Sequence, residues 1–270
     1  MNQKQKAEAF RAMHHASELL VLPNAWDAVS AKVLQAAGFG AIATASASVS
    51  WARGARDGEG LTRDDMIDAV RLIAGAVDVP VTADIEKGFG ATPGDVGETV
   101  TGIIAAGAIG INIEDSVGSG QRPVDDMQAR IASARSAANA ADVPLVINAR
   151  VDAYLLGKSG DDVYADTISR AASWFAAGAD CVFVPGPKDS DLIGKLAKDI
   201  KGPINVIVMD ENTLPVAELE ALGVSRISTG PRLMQCVMGS LRDAAQSIRE
   251  NGDFRFLKGA ASFGDINSLF

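Results

Sequence analysis

Helix-like stretches along the chain run repeatedly into Ala-Gly or Leu-Gly and then straight into a short apolar run: AAGFGAIATAS, AAGAIGINIED, AAGADCVFVPG and ALGVSRISTG. In each, the first glycine (Gly38, Gly107, Gly178, Gly223) suits a left-handed helix cap, with a strand following within a few residues. A second kind of entry alternates with these. In VDVPVTADIE, ADVPLVINAR and KGPINVIVM, a proline (Pro80, Pro144, Pro203) stops a helix before the next apolar run. With LLVLPNAW as the first, eight strands are predicted, near 19–24, 41–46, 80–86, 110–115, 144–150, 181–185, 204–209 and 226–229. Amphipathic helices are predicted between and after them, near 27–37, 62–77, 94–106, 123–140, 162–177, 189–199, 215–222 and 232–250. Eight strands alternating with helices argue for an α/β fold closed as an eight-stranded parallel β/α (TIM) barrel, rather than an open doubly wound sheet. No Pro/Ser-rich linker interrupts the pattern, so residues 1–270 read as one barrel domain with a C-terminal helical tail from about 232. The end, NGDFRFLKGAASFGDINSLF, lies outside the eight units and is expected to pack on the barrel or on another subunit.

Strand parity then sorts the polar residues. Active sites of such barrels gather at the C-terminal ends of strands, and side chains alternate in direction along each strand. Asp84 and Glu86 therefore share a face, with Ile85 and Lys87 on the other. The same parity groups Asn112 with Glu114, and Asn148 with Arg150 and Asp152. Carboxylates this close raise each other's pKa unless a cation compensates. An all-oxygen set without histidine favours Mg²⁺ or Mn²⁺ over Zn²⁺, and Arg150 supplies a planar fork for a substrate carboxylate or phosphonate. Each acid alone reads equally as a helix cap or half of a salt bridge; convergence on one mouth favours a site. Lys87, by parity, is expected to pair with an acid behind the strand, with an active-site role as the alternative if the turn after the strand breaks the alternation.

Charge and composition narrow the partners. The 270 residues are 47% hydrophobic with a formal net charge of −9, so the overall field repels nucleic acid and anionic membranes, and no basic patch opposes it. The start, MNQKQKAEAFRAMHH, has no apolar signal-like segment and no stretch is long enough to span a bilayer, so a cytoplasmic protein is expected. Cys181 and Cys236 match no zinc or disulfide spacing and read as buried packing residues. His14 and His15 fall in an N-terminal helix before the barrel, where exposed polar residues are commonplace. Ser228-Thr229-Gly230, at the end of the eighth strand, is a candidate anion site.

Taken together, these motifs resemble the isocitrate lyase and phosphoenolpyruvate mutase superfamily. Its Asp-x-Asp-Thr-Gly-aromatic-Gly motif reads here Asp84-Ile85-Glu86-Lys87-Gly88-Phe89-Gly90, and similarity extends through PNAWDAVSAKVLQAAGF, Ile113-Glu114-Asp115, Ala149 to Ala153 and the terminal INSLF. The resemblance covers nearly the whole chain. It implies a homotetramer, a dimer of dimers with the last helix exchanged between subunits, and a Mg²⁺ site. In that site Asp84 binds the metal directly, while Asp57, Glu86 and Glu114 act mainly through its waters. It further implies that Ser46, Ala47 and Ser48, in the loop after strand two, hold a substrate carboxylate together with Arg150. The expected function is a Mg²⁺-dependent lyase (Mn²⁺ the other candidate ion) that forms an enolate by C–C cleavage of a small oxaloacetate-like or substituted-malate-like acid. Arg150, Ser46 and Glu114 are then the catalytic group.

Departures from the family pattern shape the choice. The loop Asp115 to Pro123 has neither the Lys-x-Cys-Gly-His of the isocitrate and methylisocitrate lyases nor the mutase Lys-Thr-Asn, and strand six ends in Val184-Pro185-Gly186-Pro187 where mutases often place a histidine. Gly118 and Gly120 fit either a moving lid or an ordinary turn. Two alternatives stay open: P–C cleavage or rearrangement of phosphonopyruvate, and a non-catalytic protein that binds a 2-oxo acid.

Overall fold

Parallel strands ordered around a central axis carry the site, and a computed structural model describes them within all residues 1–270. The strands are β1 (Leu20–Leu22), β2 (Asn24–Ala25), β3 (Ile42–Thr44), β4 (Val81–Asp84), β5 (Gly110–Ile113), β8 (Val146–Arg150), β9 (Cys181–Phe183), β10 (Ile204–Ile207) and β11 (Arg226–Ser228). Their order is β1-β11-β10-β9-β8-β5-β4-β3-β2. β1 and β2 are one passage of chain broken at Pro23, which has no N–H to give the ladder. β1 pairs with β11 and β2 with β3, so the sheet is a nearly closed β/α barrel. All eight predicted strands are present, and a small antiparallel hairpin, β6 (Ser116–Val117) with β7 (Gly120–Gln121), stands on the loop after β5.

The helices follow the predicted alternation: α2 (Ala28–Ala36), α4 (Arg63–Ala76), α5 (Pro93–Ala105), α6 (Val124–Ala140), α7 (Asp161–Ala177), α8 (Ser190–Asp199), α9 (Val216–Ala221) and α10 (Arg232–Asn251). No helix is long and apolar enough to cross a membrane. Three further helices lie outside that alternation: α1 (Gln3–Met13), α3 (Ser46–Ala52) and the short α11 (Phe263–Asn267). Odd-numbered side chains of the central strands, among them Ala83, Ile111, Ile147 and Ala149, are fully buried with Met66, Ile103, Ile131 and Trp174 of the helices in one core.

The cap glycines behave as expected, and Gly178 shows why. It ends α7 in the left-handed region at φ 110°, and an added Cβ would sit 3.2 Å from Arg135 Cγ. Gly178→Ala should therefore cost about 1–2 kcal/mol, read as a lower urea midpoint at unchanged slope; an unchanged midpoint refutes the argument.

Inside the barrel the picture departs from the branched apolar layers usual for this architecture. Cross-strand register aligns Asp84, Asn112, Asn148 and Cys181 in one row. Above it, Arg150 pairs with Phe183, and farther round Asn205 pairs with Arg226. This interior is polar. At its N-terminal end α1 inserts Phe10, whose Cε1 lies 3.1 Å from where a Cβ on Gly110 would stand. His14 follows, and it corrects the expectation of an exposed residue. Its side chain is buried, Nδ1 lies 2.8 Å from the Phe10 carbonyl, and burial with the nearby Arg226 charge pushes its pKa down to about 3. His15 is exposed as expected. Cys181 is buried, but Cys236 is exposed, because it lies on a face of α10 that this chain leaves open.

Candidate active site

At the C-terminal mouth of the barrel a cavity of about 210 Å³ is lined by Ser46, Ala47, Asp57, Asp84, Asn112 and Arg150 on its polar side. Leu155, Phe183, Pro185, Ile207 and Met209 form an apolar wall, and Asn24, Ala45, Ser228, Gly230, Pro231 and Arg232 complete the lining.

Asp84 ends β4 with its carboxylate held by two backbone donors: Ser46 N–H reaches Oδ2 at 3.3 Å and Glu86 N–H reaches Oδ1 at 3.2 Å. Its own N–H donates to Thr44 Oγ1 at 2.9 Å. The Ser46 bond follows from a local difference between expectation and structure. Residues 46–48 are not loop but the first turn of α3, whose free N–H groups point back toward the β4 end. Ser46 and Ala47 line the cavity, whereas Ser48 is buried away from it with its hydroxyl unpartnered.

Alternation also fails where β4 ends. Gly88 N–H donates to the Ile85 carbonyl at 2.8 Å, closing a turn in which Glu86 has φ 51°. Glu86 thus reaches its position through the turn, not through strand parity. Gly88 is required there, since a Cβ would lie 2.6 Å from Val96 of α5. Glu86 Oε2 accepts from Glu59 N–H, while Oε1 is buried without a partner. Burial, then Asp84 and Asp57, push the Glu86 pKa up to about 8. Burial also raises that of Asp84, against the pull of Arg150. Lys87 forms no ion pair, contrary to expectation; its carbonyl is 3.5 Å from Arg130 Nη1, and its side chain is half-buried.

Arg150, the last residue of β8, sits between two acids: Nη1 lies 2.7 Å from Glu114 Oε2 and Nε 3.0 Å from Asp152 Oδ1. Its guanidinium also stands 5.5 Å from the Phe183 ring centroid. Burial works against its charge, but Asp152, Glu114 and Asp84 outweigh it and hold its pKa above the ordinary range. For Asp152 burial prevails over Arg150, and its pKa rises to about 6. Glu114 also accepts from Ser116 Oγ at 2.7 Å. The loop that read as either a lid or an ordinary turn is a hairpin tied down through Asp115, which takes bonds from Gln121 at 2.9 Å and Arg170 at 3.2 Å.

The six residues Ser46, Ala47, Asp57, Asp84, Glu114 and Arg150 are thus brought to one mouth, with Glu114 acting through Arg150. Sequence reasoning passed over Asn24, Asn205, Arg226 and Arg232. The first three lie at positions that the same parity would have selected. Asn24 ties the mouth together, donating to the Thr44 carbonyl at 2.7 Å and accepting from Gly230 N–H at 2.8 Å. Thr229 is used in the same tie, bonding Asn24 rather than facing the cavity.

No three acidic, histidine or cysteine side chains surround a common metal-sized point. The donor set nevertheless fits a hard divalent cation. Asp84 offers one carboxylate to the cavity, Asp57 lines it, and Glu86 keeps an oxygen buried and unsatisfied beside them. That pattern suits one direct carboxylate with the others acting through water.

A family model described as phosphoenolpyruvate phosphomutase matches residues 10–249. An uncharacterized protein of Mycobacterium tuberculosis is 39% identical over 243 residues, covering 90% of this chain and 89% of its own. Oxaloacetate decarboxylase of Paraburkholderia xenovorans is 28% identical, covering 91% of this chain and 83% of its own. Among solved structures, a Burkholderia cenocepacia protein, provisionally assigned as a lyase or mutase, superposes with a TM-score of 0.93 at 38% identity, covering 99% and 96% of the two chains. Phosphonopyruvate hydrolase, solved with oxalate and Mg²⁺, gives 0.88 at 27% identity, covering 100% and 95%.

Proposed function

Because the chain belongs to the phosphoenolpyruvate phosphomutase family, we propose that it is a Mg²⁺-dependent lyase that breaks a C–C bond in a small 2-oxo or 2-hydroxy dicarboxylic acid. The observation that carries this reading is Arg150, fixed between Glu114 and Asp152 beside Asp84 and facing a wall of carbon made by Leu155, Phe183, Pro185, Ile207 and Met209. A planar fork of this kind holds a carboxylate in one orientation. A phosphonyl group would set its anionic oxygens against that carbon wall, where the further lining cation, Arg232, already donates to the Val208 carbonyl and to Gln235 Oε1, so the C–C reading is preferred over P–C chemistry.

Asp84, with Asp57 and Glu86 beside it, would hold the cation, which when bound supplies Lewis-acid charge against a developing oxyanion, while Glu114, whose oxygens accept from Arg150 and Ser116, acts through Arg150. The chain's own residues orient the substrate: Arg150 grips one carboxylate, the free N–H groups of the α3 first turn take its far side, and the apolar wall keeps water from the bond that breaks. In a 2-oxo diacid the bond to the distal carboxylate opens heterolytically, CO2 departs, and the electron pair passes to the 2-oxo oxygen as an enolate that takes a proton at carbon. In a 2-hydroxy diacid the hydroxyl gives up its proton, its oxygen becomes the carbonyl of the 2-oxo acid product, and the pair passes to the enolate of the departing acid, which is then protonated. We further propose that the protein assembles as a homotetramer. The α10 face bearing Leu233, Cys236 and Val237, against Val29 and Val33 of α2, is an apolar groove that a second subunit would cover.

Incubation with Mg²⁺ and a panel of oxaloacetate, alkylmalates, methylisocitrate and phosphonopyruvate tests the reaction. Cleavage of oxaloacetate or a malate is expected. Phosphate release from phosphonopyruvate without C–C turnover would overturn the assignment, and oxalate binding without any turnover would leave a binding protein.

A further inference from the structure

Arg226 is fully buried inside the barrel, forms no ion pair, and plays no part in the reading above. A buried guanidinium without an acid is costly, so what it touches matters. Nε lies 3.3 Å from Ser228 Oγ, and Nη2 donates to Asn112 Oδ1 at 3.2 Å. Asn148 Nδ2 donates to the same Oδ1 at 2.9 Å. Arginine can only donate, so the Asn112 amide oxygen must face Arg226, and the amide cannot turn over without setting donor against donor. The other end of the amide is then directed by default. Asn112 Nδ2 donates to no protein group, is not among the sealed unpartnered atoms, and belongs to a residue that lines the cavity floor.

We propose that Asn112 is a ligand-binding residue whose Nδ2 donates to an anionic oxygen of the substrate, and that Arg226 is the positioning residue that holds the amide in this orientation. Resting on the reading of the mouth as a 2-oxo acid site, this adds that the bound acid lays an acceptor oxygen, not a hydroxyl donor, on the barrel floor. Ser228, bonded downward to Asn205 Oδ1 at 3.2 Å, leaves its own oxygen to Arg226, so the floor's open donor is Asn112.

Oxalate binding in the presence of Mg²⁺, followed by calorimetry, tests this without requiring turnover. Asn112→Ser should weaken oxalate about tenfold, as expected for one hydrogen bond to a charged acceptor. Arg226→Met should weaken it similarly, and the double variant should be no weaker than Asn112→Ser alone, because Arg226 acts through the amide. Arg226→Lys should recover part of the loss. Asn112→Asp guards against a folding failure: it keeps both acceptor bonds and gives Arg226 an acid, so the melting temperature should rise while oxalate binding falls further. If Asn112→Ser binds oxalate as wild type does while Arg150→Gln does not, the inference fails and the site stands. Strictly additive losses in the double variant also overturn it. A wild-type protein indifferent to oxalate overturns both.

Discussion

Replacing Arg150 with methionine is expected to lower kcat/KM for the C–C substrate by about 10³-fold and to destabilise the fold by about 3–5 kcal/mol. The two losses have separate causes. For activity, the fork of Arg150 is the one cation whose reach covers Asp84 and the cavity together, and a thioether offers the substrate carboxylate nothing in its place. For stability, the change leaves Glu114 and Asp152 facing each other without their common partner, the second fully buried. Lysine separates the two effects. It restores a charge between the acids but not the paired N–H geometry, so Arg150→Lys should recover most of the stability and little of the activity. Steady-state kinetics and urea unfolding on both variants check this. Full activity in the lysine variant would show that charge alone suffices, and an undiminished kcat/KM in Arg150→Met would remove Arg150 from the site.

The ease of reading this molecule from its sequence follows the range of the interactions concerned. Strands and helices were legible because their signals are local: a period of two or 3.6, a proline stop, and a glycine at positive φ such as Gly178. Asp84, Glu114 and Arg150 were legible because they end strands, and a parallel barrel brings strand ends together by construction. Glu86 shows the limit. Its alternation with Asp84 was a correct rule applied two residues past the end of β4, where a turn takes over. Likewise Ser46 to Ala52 give no strong helical period, so α3 reads as loop, and the family resemblance that gives Ser48 to the substrate carboxylate meets a helical turn that buries its hydroxyl away from the cavity. Arg226 and Asn112 are 114 positions apart and meet only across the closed barrel, so nothing local announces their bond. Cys236 was misjudged for a related reason, since the cover for an apolar face of α10 is not in this chain.

Metal-free protein should lose stability as pH rises from about 6.5 to 8, and Mg²⁺ should reverse that loss. Glu86 titrates at about 8 in the fold against an ordinary 4.5, so between those values the folded state holds a proton that the unfolded state has released. Stability from this group is full below the unfolded value and declines as pH rises through the folded one. His14 acts in the opposite sense at lower pH: at about 3 in the fold against 6.5, it stays neutral while the unfolded chain takes up a proton, so stability falls as pH drops below 6.5. Above 6.5 that opposition has ended. The descent from Glu86 there amounts to at most about 2 kcal/mol over 1.5 units, roughly 4–8 °C in melting temperature for a chain of this size. A bound divalent cation offsets the charge shared by Asp84, Glu86 and Asp57, favours their ionised forms, and so raises the melting temperature more at pH 8 than at pH 6. Glu86→Gln should flatten the metal-free slope above 6.5, because the proton it would have released is no longer there to lose. Asp84→Asn should abolish the Mg²⁺ effect. A melting temperature that is level or rising between pH 6.5 and 8 without metal would place the buried proton elsewhere, and an Asp84→Asn variant stabilised by Mg²⁺ as well as wild type would place the cation elsewhere.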